Sequence, residues 1–222
     1  MTDHTQEAQV GIPRIGDTAP DFTATTTHGQ LTFSEWQGDS WVVLFSHPAD
    51  FTPVCSTELA DFAARHEAYA QKNCKLIGLS IDSIHSHLAW RENLKTTLNT
   101  EIPYPIIADL DTQVAQKYGM IHPGESATVT VRAVFLIDPK RTIRALIYYP
   151  LNVGRNMDEI ERALVALQTS DANGVATPVN WTPGQKVIVP PPKTVDEVAE
   201  RATHSEYERL DFYLNKKELS SS

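Results

Sequence analysis

The apolar run WVVLFS at 41–46 carries no polar alternation, which restricts the chain to folds in which a strand is covered on both of its faces. A stretch from Pro53 to about Gln71 follows, with Leu59, Phe62, Ala63 and Tyr69 on one helical stripe, and then a second such run, CKLIGLSID at 74–82. Strand, long helix and strand make a βαβ unit, so the two strands are expected to be parallel with the helix crossing over them.

The alternation continues through a helix near 84–98, a strand at YPIIAD, a short helix at TQVAQKYG, the strands AVFLID and TIRALIYY, and a closing helix at NMDEIERALVALQT with Ile160, Leu164 and Leu167 on one face. Ahead of these elements, PDFTATTTHGQLTF reads as a hairpin around His28-Gly29. The pattern predicts an α/β fold, a layered arrangement with a central sheet flanked by helices, over residues 1–174. From about residue 175 the composition turns to proline and turn formers, with three consecutive prolines at 190–192. The segment 175–222 is expected to be a C-terminal extension, ending in helix-forming charge that exposes Tyr207, Leu210, Phe212 and Tyr213. Aromatic surface of that kind needs a covering, and a partner subunit is the simplest one.

Charge and hydropathy narrow the classes of function. With 19 basic and 28 acidic residues the net charge is −9, and the basic residues are dispersed, which argues against a nucleic-acid partner. No apolar stretch approaches the roughly 20 residues that span a bilayer, and the polar start MTDHTQEAQVG lacks the pattern of a secretory signal. A cytoplasmic protein without a membrane partner is expected. Two cysteines in 222 residues fit a reducing compartment.

One of them, Cys55, lies in SHPADFTPVCSTEL, where the strand hands over to the helix. Thr52 suits an N-cap and Pro53 the first helical position, which puts Cys55 in the first turn. Free amides and the positive end of the helix dipole favour a thiolate there, with a thiol pKa anywhere from about 8.5 down to ~3.5. Pro48 and Pro53 stiffen the loop, and Thr52 offers a hydroxyl near the sulfur. The alternative is an inert, buried cysteine.

Pro48, Thr52 and Cys55 match a pattern of proline, three residues, threonine or serine, two residues and cysteine, and here the stretch resembles the active-site loop of peroxiredoxins. Together with SIDS, HLAW and GRNMDEI it is similar to the one-cysteine, peroxiredoxin 6 group, over about residues 13–190. The resemblance implies a thioredoxin-like fold and a thiol-dependent peroxidase. In it Cys55 attacks the O–O bond of a peroxide substrate and becomes a sulfenic acid, releasing water or an alcohol. It also implies catalytic roles for Thr52, Pro48 and Arg132, whose planar guanidinium can hold both sulfur and peroxide oxygen. Three further residues are candidates for substrate binding. His47 could donate to substrate or instead pair with backbone; Arg155 could raise the positive potential near the thiolate or pair with Asp158 or Glu159; Glu58 is expected to orient an arginine.

Cys74 lies beyond a helix of about 27 Å at about 1.5 Å per residue, too far for a disulfide with Cys55, so an external thiol reductant is expected to regenerate the enzyme. A homo-oligomer, a dimer or a ring of dimers, is expected from the extension and the family. Ser40 in GDSWV stands where the subgroup carries a phospholipase serine, but Val42 replaces the glycine of a GxSxG elbow and Ser34 the associated histidine, so Ser40 reads as a turn residue. His85 and His87 point apart at i, i+2 on a helix and read as solvated, with no metal. No phosphate-binding loop is present, and no cofactor is expected. The competing reading from another class is a redox-sensing or chaperone-like oligomeric binding protein.

Overall fold

The computed structural model describes residues 12–219. By its internal contacts the chain forms two compact units, one reaching to Met157 and one starting at Asp158. The first contains β1 (Thr23–Thr26), β2 (Gly29–Thr32), α1 (Phe33–Gln37), β3 (Trp41–Ser46), α2 (Pro53–Ala70) and β4 (Cys74–Ser80). It continues with α3 (Ile84–Leu98), β5 (Ile106–Ala108), α4 (Gln113–Lys117), β6 (Arg132–Ile137) and β7 (Ile143–Tyr149).

Seven strands form one mixed sheet in the order β2-β1-β5-β4-β3-β6-β7. The βαβ expectation holds, since β3 and β4 are parallel in register from Trp41 opposite Cys74 to Ser46 opposite Leu79. β4 and β5 are also parallel, whereas β6 is antiparallel to both β3 and β7. β3 lies near the centre with all six residues buried, as its unbroken apolar run requires. The β1–β2 hairpin closes at Thr26 opposite Gly29, whose φ of 98° is a left-handed conformation open to glycine.

Successive residues of β3 serve opposite faces. Val42 and Leu44 join Ile77, Leu79, Ala133, Phe135 and Ile137 in a core closed by Phe22, Phe33 and Tyr118. On the other face Phe45 stacks on Phe62 of α2 with ring centroids 4.0 Å apart, and Tyr104 meets it edge-on at 5.6 Å. Gly78 makes this approach possible, because a Cβ there would lie 3.3 Å from the Phe45 ring. The Tyr104 hydroxyl donates to the Leu59 carbonyl, which fixes α2 further along its length. The packing holds the start of α2 at the carboxyl end of β3.

The second unit contains most of α5 (Met157–Asn173), then β8 (Val187–Val189), α6 (Val195–Arg201), β9 (Glu208–Arg209) and β10 (Asn215–Lys217). Trp181, Val187, Ala166 and Val175 are buried together. The charged tail is helical only in α6; beyond it, β9 and β10 join β8 in a three-stranded antiparallel sheet. The helix cannot continue because the chain turns back on itself at 210–215: Leu210 N–H donates to Leu214 O, and the Asn215 side-chain amide donates to the Asp211 and Phe212 carbonyls. Leu210, Phe212 and Tyr213 are exposed as expected. Tyr207 is not; its ring stacks on His204 beneath Arg201. Among the described residues no helix is long and apolar enough to cross a membrane.

Candidate active site

Thr52 has extended backbone angles, φ −112° and ψ 147°, and Pro53 opens α2, so Cys55 falls in the first helical turn. The capping expectation needs a correction. The Thr52 hydroxyl donates to the Ala49 carbonyl at 2.8 Å and makes no cap to the helix, because the loop folds back within its reach three residues earlier. Phe51, with a positive φ of 54°, makes that reversal and leaves its side chain exposed. Pro48 is buried. Cys55 is 0% exposed, so its sulfur is covered in this conformation.

Behind the sulfur lies a buried cluster of two arginines and one carboxylate. Arg132, at the start of β6, donates from Nη1 to Cys55 Sγ at 3.3 Å and to Glu58 Oε2 at 2.8 Å. Its Nε and Nη2 both donate to the Leu151 carbonyl, at 3.0 and 2.7 Å, which fixes the plane of the guanidinium. Four of its five N–H groups are thus engaged among the described residues, and one on Nη2 is left for another acceptor. Arg155 makes three hydrogen bonds to Glu58, from its backbone N–H, Nε and Nη2, at 2.9, 3.0 and 2.6 Å. Its Nη1 donates to the carbonyls of Ser46 and Ala133, and its guanidinium lies 5.2 and 5.4 Å from the ring centroids of Phe45 and Phe62. Burial pushes the Glu58 carboxyl up, but attraction to Arg155, its hydrogen bonds and attraction to Arg132 outweigh burial and hold Glu58 below the ordinary carboxylate value.

Glu58 thus accepts from both Arg132 and Arg155. The alternative pairing of Arg155 with Asp158 or Glu159 is replaced by its contacts to Glu58, and Glu159 instead pairs with Arg162. The His47 ring pairs with a side chain rather than with backbone. It is 0% exposed, its Nε2 meets Asp50 Oδ1 at 2.8 Å, and among the described residues its Nδ1 has no partner. Burial holds the His47 ring below the ordinary histidine value, against the opposing pull of Asp50.

Asp50 also meets Nδ1 of His87 at 2.8 Å, while His87 Nε2 meets the Ile107 carbonyl at 3.1 Å. The solvated reading of His87 is overturned, since it is 0% exposed, whereas His85 is exposed. The same spacing that points the two rings apart puts one of them inward. With Trp90 and Leu94, His87 forms the buried face of α3, whereas Leu88 and Leu98 are 44% and 47% exposed. Sequence reasoning missed Asp50 and His87; the signal for His87 was its i+3 and i+7 relation to Trp90 and Leu94.

Cys74 opens β4, buried and free, as expected for a strand-entry residue. Burial pushes its thiol up to about 12. Ser40 lies in the turn before β3 and donates to the Asn73 side chain at 2.9 Å.

Comparison with known proteins places this geometry. The model of the AhpC/TSA family matches residues 15–146, and that of the C-terminal domain of 1-Cys peroxiredoxin matches residues 166–204. The chain belongs to the peroxiredoxin family. A peroxiredoxin of Aquifex aeolicus is 51% identical over 220 residues, covering 95% of this chain and 99% of its own. One from Methanosarcina mazei is 50% identical over 211 residues, 91% of this chain and 96% of its own. Among solved structures, a yeast mitochondrial 1-Cys peroxiredoxin, described by a thiol-resolving mechanism via glutathione/thioredoxin systems, is 41% identical with a TM-score of 0.85, covering 94% of this chain and all (100%) of its own. A mutant of the peroxiredoxin 6 of Arenicola marina is 37% identical with a TM-score of 0.86, covering 96% and 100%. The fold is the thioredoxin-like fold of peroxiredoxins, and the protein is a thiol-dependent peroxidase, an oxidoreductase.

Proposed function

We propose that Cys55 is the sulfur that attacks the peroxide, with hydrogen peroxide and organic hydroperoxides as substrates. The Cys55 thiolate attacks the distal oxygen of the peroxide, so that the S–O bond forms as the O–O bond breaks. The peroxide oxidises the sulfur to a sulfenic acid, and the leaving oxygen takes up the proton that the thiol released on ionising and departs as water or an alcohol. One observation carries the assignment: the buried cluster behind Sγ holds two guanidiniums and one carboxylate, a net charge of +1, with Arg132 donating to the sulfur at 3.3 Å. Guanidinium does not lose its proton in proteins, so a thiolate at residue 55 is the group that balances the cluster.

The other residues divide the work. The remaining Nη2 proton of Arg132 is available to the oxygen that gains charge, where a fixed donor contributes most. Thr52 uses its hydroxyl proton on Ala49, so its oxygen is left to accept from the peroxide O–H. Buried Pro48 excludes water from the sulfur. Glu58 keeps Arg132 and Arg155 in place, Arg155 adds positive potential, and His47 lines the substrate side.

An external thiol regenerates the enzyme in this reading. Cys74 is separated from Cys55 by the length of α2, and the two are free. We place the protein in the cytoplasm on its free thiols, and we propose that residues 175–222 pack on a second copy of the chain, on the exposed Leu210, Phe212 and Tyr213. Peroxide consumption with a supplied dithiol tests the assignment: turnover lost in Cys55→Ser and kept in Cys74→Ala supports it, and equal residual activity in both ends it.

A further inference from the structure

His87 faces two acceptors and no donor. Its Nε2 meets a backbone carbonyl, that of Ile107, and its Nδ1 meets the Asp50 carboxylate. A neutral imidazole carries one N–H, so one of these contacts would set a nitrogen lone pair against an oxygen lone pair in a site closed to water. Something positive must lie in the gap, a proton or a metal ion.

His47, Asp50 and His87 do place one ligand atom each within 4.8 Å of one another. The distances decide against a metal. Ligands at about 2.0–2.1 Å around a tetrahedral ion stand about 3.3 Å apart. Both contacts to Asp50 are 2.8 Å, the length of an N–H···O⁻ hydrogen bond. The proton belongs on the ring, imidazole being the stronger base of the pair.

We propose that His87 is held as an imidazolium and acts as a positioning residue for the peroxide site, locking Asp50 and, through it, the His47 tautomer and the 48–52 loop. Asp50 Oδ2 accepts from the His87 cation, so its Oδ1 accepts from Nε2–H of His47 and leaves Nδ1 of His47 an uncommitted acceptor. The backbone of residue 47 is pinned separately, its N–H to the Leu79 carbonyl and its C=O to the Thr130 hydroxyl. What the lock holds is therefore the stretch beyond it, with Pro48 and Thr52. The titratable groups facing His87 are Asp50 and His47 from the loop and, behind them, Asp82 after β4, which accepts from the Asp50 N–H; from α3 the uncharged Trp90 ring lies 5.2 Å from the His47 ring. Hydrogen bonds from both histidines hold Asp50 as a carboxylate against its burial.

The kinetic consequence rests on the proposed roles of Pro48 and Thr52, whereas the protonation state does not, so the test has two arms. In the reduced full-length protein, ¹⁵N NMR of the His87 ring is expected to show both nitrogens protonated at pH 7. Rapid-mixing oxidation of Cys55 by hydrogen peroxide in His87→Gln is expected to be about tenfold slower, the loss of one charged hydrogen bond. A wild-type His87 ring with one bare nitrogen at pH 7 overturns the proposal, whether or not the variant folds. So does a folded His87→Gln with the wild-type rate. Turnover that survives Cys55→Ser would instead overturn the assignment of the reacting sulfur and leave the ring signals standing.

Discussion

Cys55 and Cys74 sit at opposite ends of α2, one in its first turn and the other just past its last, and both are buried and free. Their neighbours separate them. Cys74 lies in the sheet opposite Trp41, its sulfur makes a long 3.8 Å contact to the Lys75 carbonyl, and burial pushes its thiol up to about 12. Cys55 lies at a helix N-terminus with a guanidinium on its sulfur and a second one behind the shared carboxylate. Burial alone makes a cysteine inert; burial against uncompensated positive charge makes one that can carry a negative charge.

The comparison breaks most directly at the sulfurs. Cys55→Ser is expected to lower peroxidase turnover by on the order of 10³-fold or more, and Cys74→Ala to leave it within about twofold, in steady-state assays with a dithiol. Next in size is Arg132→Lys, which keeps the charge and loses the fork that spans Sγ, Glu58 and Leu151. The rate of Cys55 oxidation in rapid mixing should fall about 10²-fold, and an unchanged rate would remove the guanidinium from the site.

Glu58→Gln tests the cluster through stability. It leaves two buried arginines with no carboxylate between them, a loss of about 3–5 kcal/mol in urea unfolding at pH 7. Glu58 is held below its unfolded value, so its contribution is complete above the unfolded carboxylate range and disappears as pH falls through the folded value. The gap between variant and wild type should therefore narrow on acidification, and a gap that widens would contradict the ion-pair account. Thr52→Val should cost about tenfold in oxidation rate through the lost acceptor, with little change in stability. The smallest effect on chemistry is expected from truncation after Pro192, which should reduce the mass seen by light scattering while Cys55 oxidation stays near wild type; an unchanged mass would separate the exposed Leu210, Phe212 and Tyr213 from assembly.

Local pattern made much of this legible. The continuous apolar run of β3, the proline at the start of α2 and the helical stripe over 53–70 place Cys55 at the strand-to-helix junction without any coordinates. Long-range pairing was less accessible. Glu58 and Arg155 are 97 residues apart, and only the fold shows that their contact replaces a pairing at the start of α5. His87 was masked by its neighbour His85, because an i, i+2 pair does not say which member faces inward. Nothing in the sequence around Asp50 signals the two buried imidazoles that meet its carboxylate. The tail misled for a different reason: its charged residues favour a helix, but the turn built by Asn215 allows strand pairing that local propensity does not report.

The central claim is that the reacting sulfur is the one at the head of α2. One equivalent of hydrogen peroxide added to the reduced protein in the presence of a sulfenic-acid trap such as dimedone, followed by peptide mass spectrometry, reads it directly. The expected result is a single adduct on the peptide carrying Cys55 with Cys74 unmodified; an adduct on Cys74, or peroxide consumed with Cys55 left as thiol, would contradict it.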